Sequence, residues 1–158
     1  MTWRDDYRIQ IDQHAGLNKL NPALVAAVIE VESGGNQWAM RYEQHYRYLA
    51  VWNTGAPYKG HPLDFPKPPG VSRNTELIGQ KTSYGLMQIM GAVARERGFR
   101  GAFLTELCDP KVGLNYGCRH LALCIREKGG DIEKGLLRWN GGAAPDYPTK
   151  VLSKVSGG

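Results

Sequence analysis

Between Asn21 and Gly35 the chain reads NPALVAAVIEVESGG, an apolar run broken only by Glu30 and Glu32. Asn21 is a helix N-cap and Pro22 suits the first helical position, where its missing N–H would have no partner anyway. Gly34 and Gly35 close the helix. At about 100° per residue, Leu24, Val25, Val28, Ile29 and Val31 share one sector. Glu32 falls inside that sector, at the last turn. Glu30 falls opposite, beside Ala26, and is expected in solvent.

The same punctuation recurs downstream. Thr82 or Ser83 is expected to cap a helix through YGLMQIMGAVARER, stopped by Gly98. Asp109-Pro110 repeats the cap-plus-proline signal before a helix to about Lys128, ended by Gly129-Gly130. Asp131 caps another through about Trp139, and Pro148 opens a last short one. Strand periodicity is almost absent, so the expected class is mainly α. Residues 37–71 depart from it, mixing Pro and Gly with many aromatics (YRYLAVWNTGAPYKGHPLDFPKPPG). A stretch this long and irregular reads as a functional loop or lid, and its aromatics favour order over a disordered insertion. One domain over residues 1–158 is expected, with a core at about 20–152 and an insertion at about 37–71.

Composition narrows the partners. An apolar fraction of 42% and a charged fraction of 22% are ordinary for a globular chain. The net charge of +5 would draw the protein to nucleic acid, an anionic membrane or an anionic cell wall. The cations are dispersed, however, so no specific nucleic-acid partner is expected. No apolar run reaches the roughly 18 residues of a transmembrane segment, and MTWRDDYRIQIDQ lacks the apolar core of a secretory signal. Cys108, Cys118 and Cys124 follow no zinc spacing and read as reduced, buried thiols. His14, His45, His61 and His120 are scattered, so neither a metal nor a cofactor is expected.

Two effects should raise the pKa of Glu32. Partial desolvation disfavours its anion, and the helix C-terminus adds negative charge nearby. A carboxyl group kept protonated near neutral pH suits general-acid catalysis. On this helix alone the alternative stays open, a glutamate whose stem packs on the core while its head reaches water or an arginine.

The wider order of motifs bears on that choice. Glu32-Ser33-Gly34 is followed by Ser83-Tyr84-Gly85-Leu86-Met87-Gln88-Ile89, then by Arg138-Trp139-Asn140-Gly141-Gly142, Tyr147 and Val151. Over roughly residues 20–152 this set resembles the lysozyme-like lytic transglycosylases, the superfamily that includes goose-type lysozyme. The resemblance implies a lysozyme-like domain acting on peptidoglycan glycan strands, with Glu32 as the catalytic acid. It also implies that Ser83 orients bound sugar or Glu32, and that Gly85 lets the backbone approach substrate closely. Met87 and Gln88 would line the cleft, Asn140 would hydrogen-bond substrate, and Tyr147 would bring its hydroxyl to Glu32. Each has a plainer alternative: Met87 as core, Gln88 as a surface amide, Asn140-Gly141 as a turn, Tyr147 as packing. Arg138-Trp139-Asn140 stands where the family commonly has Ala-Tyr-Asn, which leaves a sugar contact at 139 in question. Tyr42, Tyr46, Tyr48, Trp52 and Tyr58 would offer flat faces to sugar rings.

The implied reaction cleaves the β-1,4 bond between N-acetylmuramic acid and N-acetylglucosamine. Glu32 acts as acid and then as base, and a 1,6-anhydro product forms. That route needs no second carboxylate, whereas most glycosidases use a pair; Glu43 and Asp64 are the candidates for one. A goose-type hydrolase and a non-catalytic wall-binding or virion module are the competing readings. The chain looks like a monomeric, phage-encoded endolysin, made in the cytoplasm and brought to the wall by lysis or on a virion.

Overall fold

The computed structural model describes residues 1–155. In chain order it runs through α1 (Trp3–Leu17), α2 (Pro22–Glu32), β1 (Met40–Tyr42), a 3-10 turn at Pro62–Asp64 and α3 (Arg73–Gln80). It continues with β2 (Thr82–Tyr84), β3 (Ile89–Met90), α4 (Gly91–Glu96), a 3-10 turn at Leu104–Cys108, α5 (Pro110–Glu127), α6 (Ile132–Trp139) and α7 (Tyr147–Leu152). The architecture is mainly helical, as the residue pattern implied. Three helix starts carry the expected caps. Asn21 accepts from the Ala23 N–H at 3.0 Å, Asp109 from Lys111 at 2.9 Å and Asp131 from Lys134 at 3.0 Å.

α2 is the central helix. Residues Leu24 to Ile29 are buried all round it, enclosed by α1 on one side and α7 on another. A helix apolar around its circumference is one the fold surrounds. This corrects the expectation for Glu30. α1 covers that side, and Glu30 Oε2 accepts from Trp3 Nε1 at 2.9 Å, with Arg4 at 3.8 Å. The start of α1 carries a capping box, in which Asp5 accepts from the Thr2 N–H at 2.8 Å and from its hydroxyl at 3.1 Å.

The helix expected from Thr82 to Gly98 does not form as one element. Its first half is an antiparallel hairpin, β2 with β3, extended by β1 into a sheet of order β1-β2-β3. Only its second half, α4, is helical, with Gly98 beyond its end at φ +110°. Gly85 forces the break. It holds φ +75°, its N–H donates to the Ala39 carbonyl at 2.8 Å, and a Cβ there would lie 2.7 Å from the Leu107 carbonyl oxygen. Pairing with the chain before β1 replaces the intrahelical hydrogen bonds.

The irregular segment 37–71 is ordered by a buried polar network. Ala50 exchanges two hydrogen bonds with the Gln80 amide, at 2.9 and 2.8 Å, and Gln80 Nε2 also donates to Glu76 at 2.7 Å. Glu76 takes a bidentate pair from Arg95, at 3.0 and 2.8 Å, and Arg95 also reaches the carbonyls of Phe99 and Gly101. Glu76 and Arg95 are both fully buried, and this mutual satisfaction makes that burial tolerable. Trp52 and Tyr58 turn inward, Trp52 towards Arg95 and Tyr58 edge-on to Phe65. The three cysteines are buried and unpaired. Among the described residues no helix is long and apolar enough to cross a membrane.

Candidate active site

Glu32 ends α2 at the rim of a cleft of about 290 Å³. Its Oε2 accepts from the Tyr147 hydroxyl at 2.5 Å and from the Trp139 indole N–H at 3.2 Å. Burial raises the Glu32 pKa above the usual carboxylate value; the two donors and the Arg41 charge pull it part of the way back. Burial also holds the Tyr147 phenol far above its ordinary pKa, with the neighbouring Glu32 charge adding to the effect, so it remains a donor.

Ser33 and the β2–β3 turn fix this end of α2. The Ser33 hydroxyl donates to the Leu86 carbonyl at 2.7 Å and accepts from the Gly35 N–H at 3.2 Å. The Glu-Ser-Gly stretch is therefore bolted directly to the Gly-Leu-Met-Gln turn. Sequence reasoning gave Ser33 no role, although a serine at a helix end followed by two glycines was the available signal.

The remaining expected site residues divide. Ser83, Gln88 and Asn140 line the cleft with Glu32. Ser83 donates to Gln88 Oε1 at 3.0 Å, while Gln88 Nε2 donates to the carbonyls of Ala39 and Gly85, both at 2.9 Å. These bonds hold Gln88 at φ +54°, a conformation costly for a side-chain-bearing residue. The Gln88 amide thus braces the cleft wall. Asn140 caps the end of α6, and among the described residues its buried Nδ2 has no hydrogen-bond partner.

Met87 does not line the cleft. It is 1% exposed, its sulfur lies 4.0 Å from Cys118 Sγ, and a Cβ on Gly117 of α5 would press on it at 2.6 Å. Met87 and Gln88 both lie in the turn between β2 and β3, which buries Leu86 and Met87 together while Gln88, at φ +54°, faces the groove. Gly85 is not part of the cleft lining either, and the close approach seen at it is to the Leu107 carbonyl.

Trp139, His120, Arg41 and Glu43 also line the cleft, with Ile89, Met90 and Val93 as its apolar wall. Trp139, where a sugar contact was in question, contacts Glu32 itself. His120 of α5 lies 5.6 Å from the Trp139 ring, its Nε2 is 3.5 Å from Cys124 Sγ, and burial pushes its pKa down to about 4. Arg41 of β1 pairs with Glu43 at 2.9 Å, and both line the cleft. No motif marked His120 or Arg41, since each owes its position to an element packed from elsewhere in the chain. Asp64 lies in the exposed 3-10 turn, away from the lining. Tyr42, Tyr46, Tyr48, Trp52 and Tyr58 are also absent from it, although Tyr42 and Tyr48 are exposed. Among the described residues no group of three or more His, Cys, Asp or Glu is placed to hold a metal ion.

The family model described as Transglycosylase SLT domain matches residues 10–151. No curated protein matches the chain.

Proposed function

The chain belongs to the transglycosylase SLT domain family, whose members are peptidoglycan lytic transglycosylases, and from that premise we propose that Glu32 alone serves as acid and then as base. The enzyme's substrate is cell-wall peptidoglycan.

The observation that supports this role is the crowding of one carboxyl oxygen. Oε2 already accepts from Tyr147 and Trp139, so the proton of neutral Glu32 sits on Oε1, which has no hydrogen-bond partner among the described residues. Oε1 therefore donates that proton to the glycosidic oxygen between N-acetylmuramic acid and N-acetylglucosamine as the C1–O bond breaks. The carboxylate left behind is stabilised by the two donors on Oε2. It then takes the proton of the muramic C6 hydroxyl while that oxygen bonds to C1, closing a 1,6-anhydro ring. Glu32 ends protonated, ready for another turnover, and no water is consumed.

Glu43 supports a second reading. It lies in the same cleft, held by Arg41, where a carboxylate could orient water for hydrolysis. Mass spectrometry of muropeptides released by the purified protein separates the two. Anhydro products lighter by one water support transglycosylation, whereas reducing-end products overturn it. A Glu32→Gln protein that still cleared peptidoglycan at the wild-type rate would remove Glu32 from the chemistry.

A further inference from the structure

The loop that carries Trp139 and Asn140 has a second face. Arg138, Gly141 and Gly142 line a separate cavity of about 360 Å³, completed by Lys128, Lys134 and Leu137. Lys128 ends α5, Lys134 lies in the first turn of α6 and Arg138 in its last, so three cations converge from two helices. No acidic side chain belongs to the lining. Arg138 spends its Nε on Glu127 at 2.6 Å. Among the described residues its terminal nitrogens, and the ammonium groups of Lys128 and Lys134, have no hydrogen-bond or ion-pair partner. Gly141 and Gly142, at φ +76° and +75°, also line the cavity, and a Cβ on either would meet no atom within 4 Å.

Helix dipoles account for part of this arrangement. Lys128 and Arg138 stand at C-terminal ends, where a cation is favoured. Lys134 stands in a first turn, where the same dipole disfavours a positive charge. Three like charges gathered round one hollow also repel one another. An anion placed among them would relieve both costs.

We propose that this cavity is an anion subsite that takes a carboxylate of the peptide stems borne by the glycan strand in the neighbouring cleft. The inference rests on the enzyme's action on peptidoglycan, whose stem peptides carry free carboxylates. The two hollows share one wall. Trp139 and Asn140 face the catalytic cleft while Arg138, Gly141 and Gly142 face the anion. A strand seated on Glu32 therefore has a cationic basin beside it for an appended chain. Phosphodiesters of other wall polymers carry the same charge, and the test separates them from the peptide.

The test compares Lys128→Gln/Lys134→Gln with a control pair, Lys59→Gln/Lys67→Gln, which removes the same charge from the exposed irregular segment. KM and kcat are measured at low salt on three substrates: whole sacculi, sacculi freed of phosphate polymers, and glycan strands stripped of peptide by an amidase. The cavity pair should raise KM about five- to tenfold on the two peptide-bearing substrates, with kcat unchanged, as two lost ion pairs allow. It should match wild type on stripped strands, and the control pair should match it throughout. An unchanged KM, an equal loss on stripped strands or an equal loss in the control pair overturns the proposal. A loss that vanishes once phosphate polymers are removed overturns the peptide assignment. Co-sedimentation of the same pairs in a Glu32→Gln background keeps binding separate from chemistry. If wild type releases no anhydro product yet the cavity pair loses retention on peptide-bearing sacculi, the transglycosylation reading fails and the subsite stands; unaltered retention overturns the subsite whatever the products.

Discussion

The phenol of Tyr147 and the carboxyl of Glu32 stand 115 positions apart in the chain and meet at 2.5 Å. α7 packs on α2, with Val151 fully buried between them, and this contact brings the hydroxyl to the end of the central helix. The bond has a direction. A phenol held far above its ordinary pKa donates, so Glu32 Oε2 accepts, and Oε1 is left without a hydrogen-bond partner among the described residues.

Glu32→Gln should lower kcat at least a hundredfold, the scale on which a positioned acid contributes. It should also stabilise the fold at neutral pH. The Glu32 pKa is raised in the folded state, so ionising it costs stability as pH rises through that value, and a neutral amide escapes the cost while still accepting from Tyr147 and Trp139. The melting temperature should exceed that of wild type near pH 7, and the difference should close below pH 4.5, the ordinary value for the group. Glu30→Gln keeps its bond from Trp3 and should leave the rate within about twofold, since Glu30 faces α1.

Tyr147→Phe removes a donor that favours the Glu32 anion. The Glu32 pKa should rise further, moving the alkaline limb of the kcat/KM profile to higher pH, while the maximum falls about tenfold for a lost charge-assisted bond. A profile with both limbs unmoved would show that the phenol does not act on the carboxyl.

Glu76→Ala leaves Arg95 fully buried without its counter-charge, which should cost about 3–5 kcal/mol in urea unfolding. Proteolysis within residues 37–71 should accelerate, because Gln80, which holds Ala50, leans on Glu76. Replacing both members of the pair with apolar residues should recover most of the loss.

His120 predicts an acid-side instability. Its folded pKa of about 4 lies below the ordinary 6.5, so the unfolded state binds its proton more readily. Stability tied to this residue is complete above pH 6.5 and is lost as pH falls towards 4, by roughly 3 kcal/mol at most. Burial is the main cause, Arg97 and Arg138 reinforce it, and Glu127 opposes it. A His120→Gln protein should show a shallower fall in melting temperature between pH 6.5 and 4 than wild type.

Helix limits were legible at α2, α5 and α6, where the causes are local, whereas α1 and α3 went unread although Thr2 and Ser72 stand at their starts. Asn21, Asp109 and Asp131 cap helices with atoms two or three residues away, so reading neighbours along the chain sufficed for α2, α5 and α6. The inward side of Glu32 also followed from spacing, and the ordered motifs carried the family. Thr82 to Gly98 shows where local reading stops. Its residues suit a helix well enough, and only the Leu107 and Ala39 carbonyls decide against one at Gly85. The same hairpin settles that Met87 is core while Gln88 faces the groove. Glu30 was misread because its partners lie in α1, whose mixed pattern gave little notice that it covers a helix.

Spacing along the chain therefore determined that α2, α5 and α6 coil and on which side of α2 the acid lies, because helical hydrogen bonds and caps join near neighbours. The tertiary structure alone decided what surrounds that acid. The contacts of Glu32 with Trp139 and Tyr147 span 107 and 115 residues, and such meetings depend on how whole helices pack, which no short stretch of chain specifies.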